Sequence, residues 1–296
     1  MSLRNVQQAL LLRRRPATFS WVDHFAYIET LLASAPSRYG AYYDIAAPGG
    51  ALQPNGSLAA QQGDPVHRIP NLIPDAGIGD LEFNLEAARN LFGDPGLERD
   101  TTTAIIDRQI LHNDGIRYPG IPMSRGDISL WDESKSEQQN FIETVSVFTP
   151  VALPPPPEGI RSVCMIMVYS MLFREMAEMM GVDIEGPIND ALNAEMPEFL
   201  LGKPGVMVSN FAEGEAPAIY FNGVQVETDI MGGQIPDDSE AIAAAIQQAL
   251  QQDFGLIWGS PCMAAQKLII LPRSLNPQEI TEVSRRLQAA MEVPSV

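Results

Sequence analysis

The clearest alternation of hydrophobic and polar positions lies in the last third of the chain. Residues 218–221 and 224–230 alternate on either side of Asn222-Gly223, a pair that readily adopts the positive φ angles of a tight type I′ turn. We therefore expect a β-hairpin at this point. Further short strands are predicted over 206–211, 256–258 and 267–271.

Apolar residues with a helical period occur near both ends of the chain. A short helix is predicted over 4–14, and Ser20 is a predicted N-cap for a second helix. Near the other end, an apolar stripe predicts a helix over 239–253, and Asn276-Pro277 predicts the start of the last helix. Helices mixed with a sheet of antiparallel hairpins indicate the α+β class.

Residues 37–80 contain many prolines and glycines but remain apolar. Such a density of breaking residues predicts irregular chain, and an irregular stretch of about forty residues is rare inside a compact domain. We therefore expect residues 1–80 to form N-terminal helices and a long, irregular, extended arm. The arm would lie on another copy of the protein, where burying its apolar side chains offsets the entropy lost on ordering. The predicted inter-subunit contacts from this arm are Tyr39, Tyr42, Tyr43, Ile69, Leu72 and Ile73.

The middle of the chain divides at a run of prolines, 154–157. Residues 81–153 predict an irregular α/β segment with a long loop, although 142–153 alternates well enough to form a strand. The proline run predicts a semi-rigid polyproline II spacer, so we expect a linker over 154–160 and a compact α+β domain over 161–296. A recognition site for a proline-binding domain is the alternative interpretation of this run.

Methionine is concentrated in 161–181. The second half of this segment predicts a helix, whereas the first half fits either the start of that helix or a buried strand. A methionine cluster of this kind is more often core than an adaptable binding groove, and the role of this one stays open.

Charge divides the chain into a basic front and an acidic remainder. The protein has 296 residues and a formal net charge of −18. Residues 1–38 carry five Arg and two acidic residues, a net charge of +3, so residues 39–296 carry a net charge of −21. The acidic total argues against general nucleic-acid binding. Arg13, Arg14 and Arg15 therefore predict ion pairs with an acidic neighbouring copy, with nucleic acid contacted weakly if at all.

The sequence carries no motif that names an enzymatic activity. The nucleophile motif G-x-S-x-G and the glycine-rich phosphate-binding motifs are absent. Two cysteines and three scattered histidines predict neither a disulfide framework nor a zinc site, so we expect no cofactor and no metal. Ser260 and Cys262 lie near a predicted strand end, where a turn between two strands is the favoured interpretation. A catalytic site between Trp258 and Cys262 is the alternative.

These patterns favour a structural subunit of a large homo-oligomeric assembly, most simply a viral or phage capsid or a similar shell. Its partners would be other copies of itself and other structural proteins of the same particle. A ring or tube component of a phage tail, neck or injection machine is one alternative, and an enzyme of unrecognised family is another. The most apolar run, residues 163–173, is too short to span a bilayer and no secretory signal is evident. We therefore expect a virion or a cytoplasmic particle.

Overall fold

The computed structural model describes residues 20–91, 104–111, 117–120, 134, 136, 145–171, 205–226 and 256–291, apart from 36, 62, 74, 76, 106, 156, 213–214, 216–217 and 261–262. The helices in this part of the chain are α1 (Trp21–Ala33), α2 (Leu85–Leu91) and α3 (Pro277–Met291). The strands of the first half are β1 (Ala41–Asp44), β2 (Pro65–Val66), β3 (Arg68–Ile69), β4 (Leu81–Phe83), β5 (Ala104–Ile105), β6 (Asp107–Leu111), β7 (Arg117–Gly120) and β8 (Ser146–Pro150). Those of the second half are β9 (Ser162–Met171), β10 (Gly205–Ala212), β11 (Ala218–Phe221), β12 (Val224–Val226), β13 (Leu256–Ser260) and β14 (Met263–Leu271).

Ten of these strands form one antiparallel sheet with β14 near its middle. The order is β12-β11-β10-β9-β14-β13-β8-β4-β3, and β1 also pairs with β14. Strand β9 pairs with one edge of β14. Two strands share the other edge: β13 pairs with it near Met263, and β1 pairs with it over residues 267–270. Two small sheets pair β2 with β5 and β6 with β7. The expectation of helices mixed with antiparallel strands is confirmed.

Both faces of the central strands are buried, so alternate residues belong to two different cores. Helices α1 and α3 cover one face, where they pack on residues such as Ile166, Val208 and Ile269. The opposite face packs against irregular chain between β1 and β4 and against Phe148 of β8. We call these the helix-side core and the loop-side core. Because a strand alternates its side chains, Tyr42 enters the first core and Tyr43 the second.

Local capping chemistry explains where the two long helices begin. The Ser20 hydroxyl accepts a hydrogen bond from the Asp23 backbone N–H, as expected for the start of α1. At α3, the Asn276 side chain accepts from the Glu279 N–H, and the Glu279 carboxylate accepts in return from the Asn276 N–H. Pro277 occupies the first helical position, where no N–H is needed. Both predicted helix starts are confirmed.

The predicted hairpin is present. Strands β11 and β12 pair antiparallel from Phe221 and Val224 outward, and the connecting Asn222 and Gly223 have φ angles of 50° and 86°. These positive angles are those that a type I′ turn demands. The strand expected over 206–211 is β10, and that expected over 142–153 is the shorter β8.

The segment 37–80 is irregular, as expected, but it lies on its own chain. Strand β1 is inserted into the main sheet, and the rest of the segment packs on the loop-side core or under α1. The Asn71 side chain accepts from the Tyr42 N–H and donates to the Ile78 carbonyl, so it supplies backbone partners that regular structure would otherwise provide. Order in this segment therefore requires no second copy.

The proline run joins two strands of the same sheet, because β8 precedes it and β9 follows it. The Tyr39 hydroxyl donates a hydrogen bond of 3.0 Å to the Pro154 carbonyl and ties the run to the loop-side core. In the methionine-rich segment, residues 162–171 form strand β9, which favours the buried-strand interpretation of that stretch, and Met165 and Met167 pack on the same core. The helices expected over 4–14 and 239–253 lie outside the described residues.

Candidate functional site

Four hydrogen-bonded polar side chains lie inside the helix-side core. They are His24, Tyr42, Asp44 and Lys267, and we call them the buried polar chain. Their exposed fractions are 3 %, 0 %, 0 % and 1 % respectively. Charged and polar groups are rarely buried this completely unless they are paired, so this cluster is the most unusual chemical feature of the described structure.

Three elements bring these side chains together. His24 lies in the first turns of α1, Tyr42 and Asp44 lie two residues apart on the same face of β1, and Lys267 lies in β14. Asp44 and Lys267 are direct partners in the antiparallel register of β1 and β14. Strand pairing therefore holds the carboxylate and the ammonium group against each other.

The hydrogen bonds converge on Asp44. Its Oδ2 accepts from the Tyr42 hydroxyl at 2.6 Å and from Lys267 Nζ at 2.7 Å, while its Oδ1 accepts from the Ala46 backbone N–H at 2.9 Å. A carboxylate only accepts, so the Tyr42 proton points toward Asp44. His24 Nε2 lies 2.8 Å from the Tyr42 oxygen and therefore carries a proton that it donates to that oxygen.

Burial sets the protonation states along this chain. It lowers the pKa of His24 from 6.5 to about 4, and the positive charges of Lys267 and Arg286 add to the effect while Asp44 opposes it. Burial and the neighbouring Asp44 raise the pKa of the Tyr42 hydroxyl well above its usual range. At neutral pH the histidine and the tyrosine are therefore both uncharged.

Two arginines, Arg273 and Arg286, contact α1, the helix that covers the buried polar chain. Arg273 forms an ion pair with Glu279 at 2.8 Å and its Nε donates to the Leu31 carbonyl at the end of α1. The Arg286 guanidinium lies 4.2 Å from the centre of the Tyr27 ring, a cation–π contact between α3 and α1. These contacts hold His24 in position above Tyr42.

The arrangement offers two kinds of chemistry. It places an amine, a carboxyl group, a phenol and an imidazole in one hydrogen-bonded series, which suits proton transfer and nucleophilic attack by the amine. It also has a structural consequence, because removing one partner of a buried ion pair typically costs about 3–5 kcal/mol.

Most side chains predicted to contact another copy lie inside their own chain. Those that are 5 % exposed or less are Tyr39, Tyr42, Tyr43, Ile69 and Ile73. Leu72 is partly buried against the helix-side core. Burial within their own chain leaves these side chains little surface for another copy, and contact between copies itself stays a prediction. Arg13, Arg14 and Arg15 lie outside the described residues.

The alternative catalytic region near Trp258 lies on strands β13 and β14. Ser260 pairs with Met263, so the two strands are antiparallel neighbours at this end, as the turn interpretation expects. Cys262 lies outside the described residues.

Sequence reasoning overlooked Asp44 and Lys267. The sequence does contain a pattern that indicates a buried Lys267. This residue is one of only three lysines in the chain, and it directly precedes the apolar run 268–271. A charged residue next to such a run is expected to need a buried partner. The sequence alone does not say which of the 37 acidic residues supplies it.

No protein-family model matches the chain, and a comparison with curated proteins finds no match. Within the part of the chain that the structure describes, no helix combines the length and apolarity needed to cross a bilayer. The same residues contain no group of three or more His, Cys, Asp or Glu side chains placed to hold a metal ion.

Proposed function

We propose that this protein is a structural subunit of a large homo-oligomeric assembly, most simply a capsid or capsid-like shell of viral or phage type. The observation that carries the proposal is the division of charge, +3 over residues 1–38 against −21 over 39–296. In a closed assembly every copy meets the same neighbours, so opposite charges on one chain can pair between copies.

The start of α1 supports this use of the basic segment. Val22 is 76 % exposed and Asp23 is also exposed, so the first turn of α1 lies at the surface of the body. Residues 1–19, which include Arg13, Arg14 and Arg15, directly precede this helix start in the sequence. We therefore assign the contact with neighbouring copies to this segment, and the buried side chains of 37–80 to the core of their own chain.

The contact between copies would be electrostatic and sensitive to salt. Exposed charges are screened over about 10 Å at 0.1 M ionic strength, so raising the salt concentration should weaken a contact made by exposed arginines and carboxylates. Other structural proteins of the same particle could present acidic surfaces to the same segment. The corresponding location is a virion or a cytoplasmic particle.

The oligomeric state of the purified full chain tests the proposal. Light scattering after size-exclusion chromatography, at about 0.1 M salt and at several times that value, should show a large assembly that shrinks at high salt. Arg13→Glu, Arg14→Glu and Arg15→Glu in one variant should abolish assembly, whereas the matched Arg→Lys variant should retain it. A wild-type chain that is a plain monomer at low salt would overturn the proposal.

Electron microscopy of the assembled material decides its form. A closed shell would support the capsid interpretation. A ring or an open tube would replace it with a component of a tail, neck or injection machine, which uses the same charge division with a different symmetry.

A further inference from the structure

Asp44 and Lys267 are arranged as an electrophile and a nucleophile. Lys267 Nζ lies 2.7 Å from Asp44 Oδ2, and the two residues are register partners on paired strands. We propose that they condense to form an intramolecular isopeptide bond, an amide between Nζ of Lys267 and Cγ of Asp44, which covalently links β14 to β1. This inference does not depend on the proposed assembly.

The paired strands supply proximity and orientation. Both side chains are fixed in the helix-side core, with exposed fractions of 0 % for Asp44 and 1 % for Lys267. Holding the reacting groups together in this way removes much of the entropic barrier to a reaction that is very slow between free amines and carboxylates.

The groups around Asp44 match what amide formation requires. The Ala46 N–H, 2.9 Å from Oδ1, can stabilise the negative charge that develops on that oxygen when Nζ attacks Cγ. The Tyr42 hydroxyl, 2.6 Å from Oδ2, can donate a proton to the departing oxygen. His24 Nε2–H on the Tyr42 oxygen stabilises the phenolate character that appears at that moment. Tyr42 is therefore assigned as the catalytic acid.

The reaction balances without an oxidant or a co-reactant. A proton first passes from Lys267 Nζ to Asp44 Oδ2 along their 2.7 Å hydrogen bond, which frees the Nζ lone pair. The Nζ lone pair then attacks Cγ, the C–N bond forms and the C–Oδ2 bond breaks. Oδ2 leaves as water, having taken one proton from Nζ and one from the Tyr42 hydroxyl. The Tyr42 oxygen regains its proton from the second one that Nζ loses, so Tyr42 ends in its starting form and the amide keeps one N–H.

Burial also preserves the product. Condensation replaces two buried charges by one neutral amide, and the site is closed to the bulk water that hydrolysis would need. The cross-link would join residues 223 positions apart in sequence and so tie the two halves of the chain together.

Mass spectrometry of the intact, full-length protein tests the inference directly. The expected mass is lower than the sequence mass, corrected for any loss of Met1, by one water molecule. A proteolytic digest should yield one branched peptide containing both Asp44 and Lys267. An intact mass equal to the sequence mass, with the two peptides recovered separately, would overturn the proposal and leave a buried ion pair only.

Variants separate the cross-link from folding. Lys267→Arg keeps a positive charge but should restore the full sequence mass. Asp44→Asn should still form the same amide, now with loss of ammonia.

Tyr42→Phe should slow cross-linking about 100-fold or more in a time course after synthesis. Tyr43→Phe is the matched control, because its hydroxyl donates to the Gly79 carbonyl in the loop-side core and should leave the rate unchanged. Equal rates for the two phenylalanine variants would remove Tyr42 from the mechanism.

Discussion

Acid should destabilise this protein through His24. The imidazole is buried between α1 and the sheet, where it is held uncharged with a pKa of about 4 against 6.5 for an exposed histidine. Below about pH 6.5 the His24 ring of the unfolded chain binds a proton, whereas the ring of the folded chain binds one only below about pH 4. The stabilising effect is complete above pH 6.5 and is lost as the pH falls to about 4.

The magnitude follows from the two pKa values. Their difference corresponds to about 3 kcal/mol, since each pKa unit is worth about 1.4 kcal/mol. The positive charges that face the ring are Lys267 on β14 and Arg286 on α3, and Asp44 on β1 opposes them. Burial is the largest cause and acts whether Asp44 and Lys267 are ions or are joined as an amide.

The assay is urea unfolding at several pH values between about 7 and 4.5, at one protein concentration. The matched variant is His24→Gln, whose amide can still donate to the Tyr42 oxygen but does not titrate. The free energy of unfolding of the wild type should fall over this window more steeply than that of the variant. The difference between the two falls should reach about 2.4 kcal/mol at pH 4.5, most of the full effect of about 3 kcal/mol. Parallel pH profiles would refute the reasoning and place the ring in contact with solvent.

Two further predictions concern local structure. Asn276→Ala should reduce the free energy of unfolding by about 1 kcal/mol, because the N–H groups of Gln278 and Glu279 lose their acceptor. In the same denaturation assay, Asn276→Asp should retain most of the wild-type stability, because its carboxylate can accept the same two hydrogen bonds. Gly50→Ala should destabilise the protein by about 1–3 kcal/mol, because the added methyl group would collide with the Asp44 carbonyl oxygen. An unchanged denaturation midpoint for Gly50→Ala would show that this loop can move aside.

Sequence reasoning was most successful where structure depends on neighbouring residues. Asn222-Gly223 predicts its turn because the two residues alone favour positive φ angles. Asn276 predicts the start of α3 because its side chain reaches backbone N–H groups only two and three positions away.

The same reasoning was incomplete for residues 37–80. Their composition correctly predicts irregular chain, but it also predicts that the tyrosines contact another copy, since no local pattern shows where a strand will pair. Tyr42 and Tyr43 are buried because β1 finds a free edge of β14, more than 200 residues away. The edge is open because β13 occupies only the beginning of it.

By itself, the sequence determined the mixture of helices and hairpins, the main turn, the helix caps and the uneven distribution of charge. Each of these depends on residue type or on contacts within a few positions. Only the tertiary structure decided that His24, Tyr42, Asp44 and Lys267 meet. Their meeting depends on which strand edges pair and which helix covers them, and those long-range choices are made by the packing of the whole sheet.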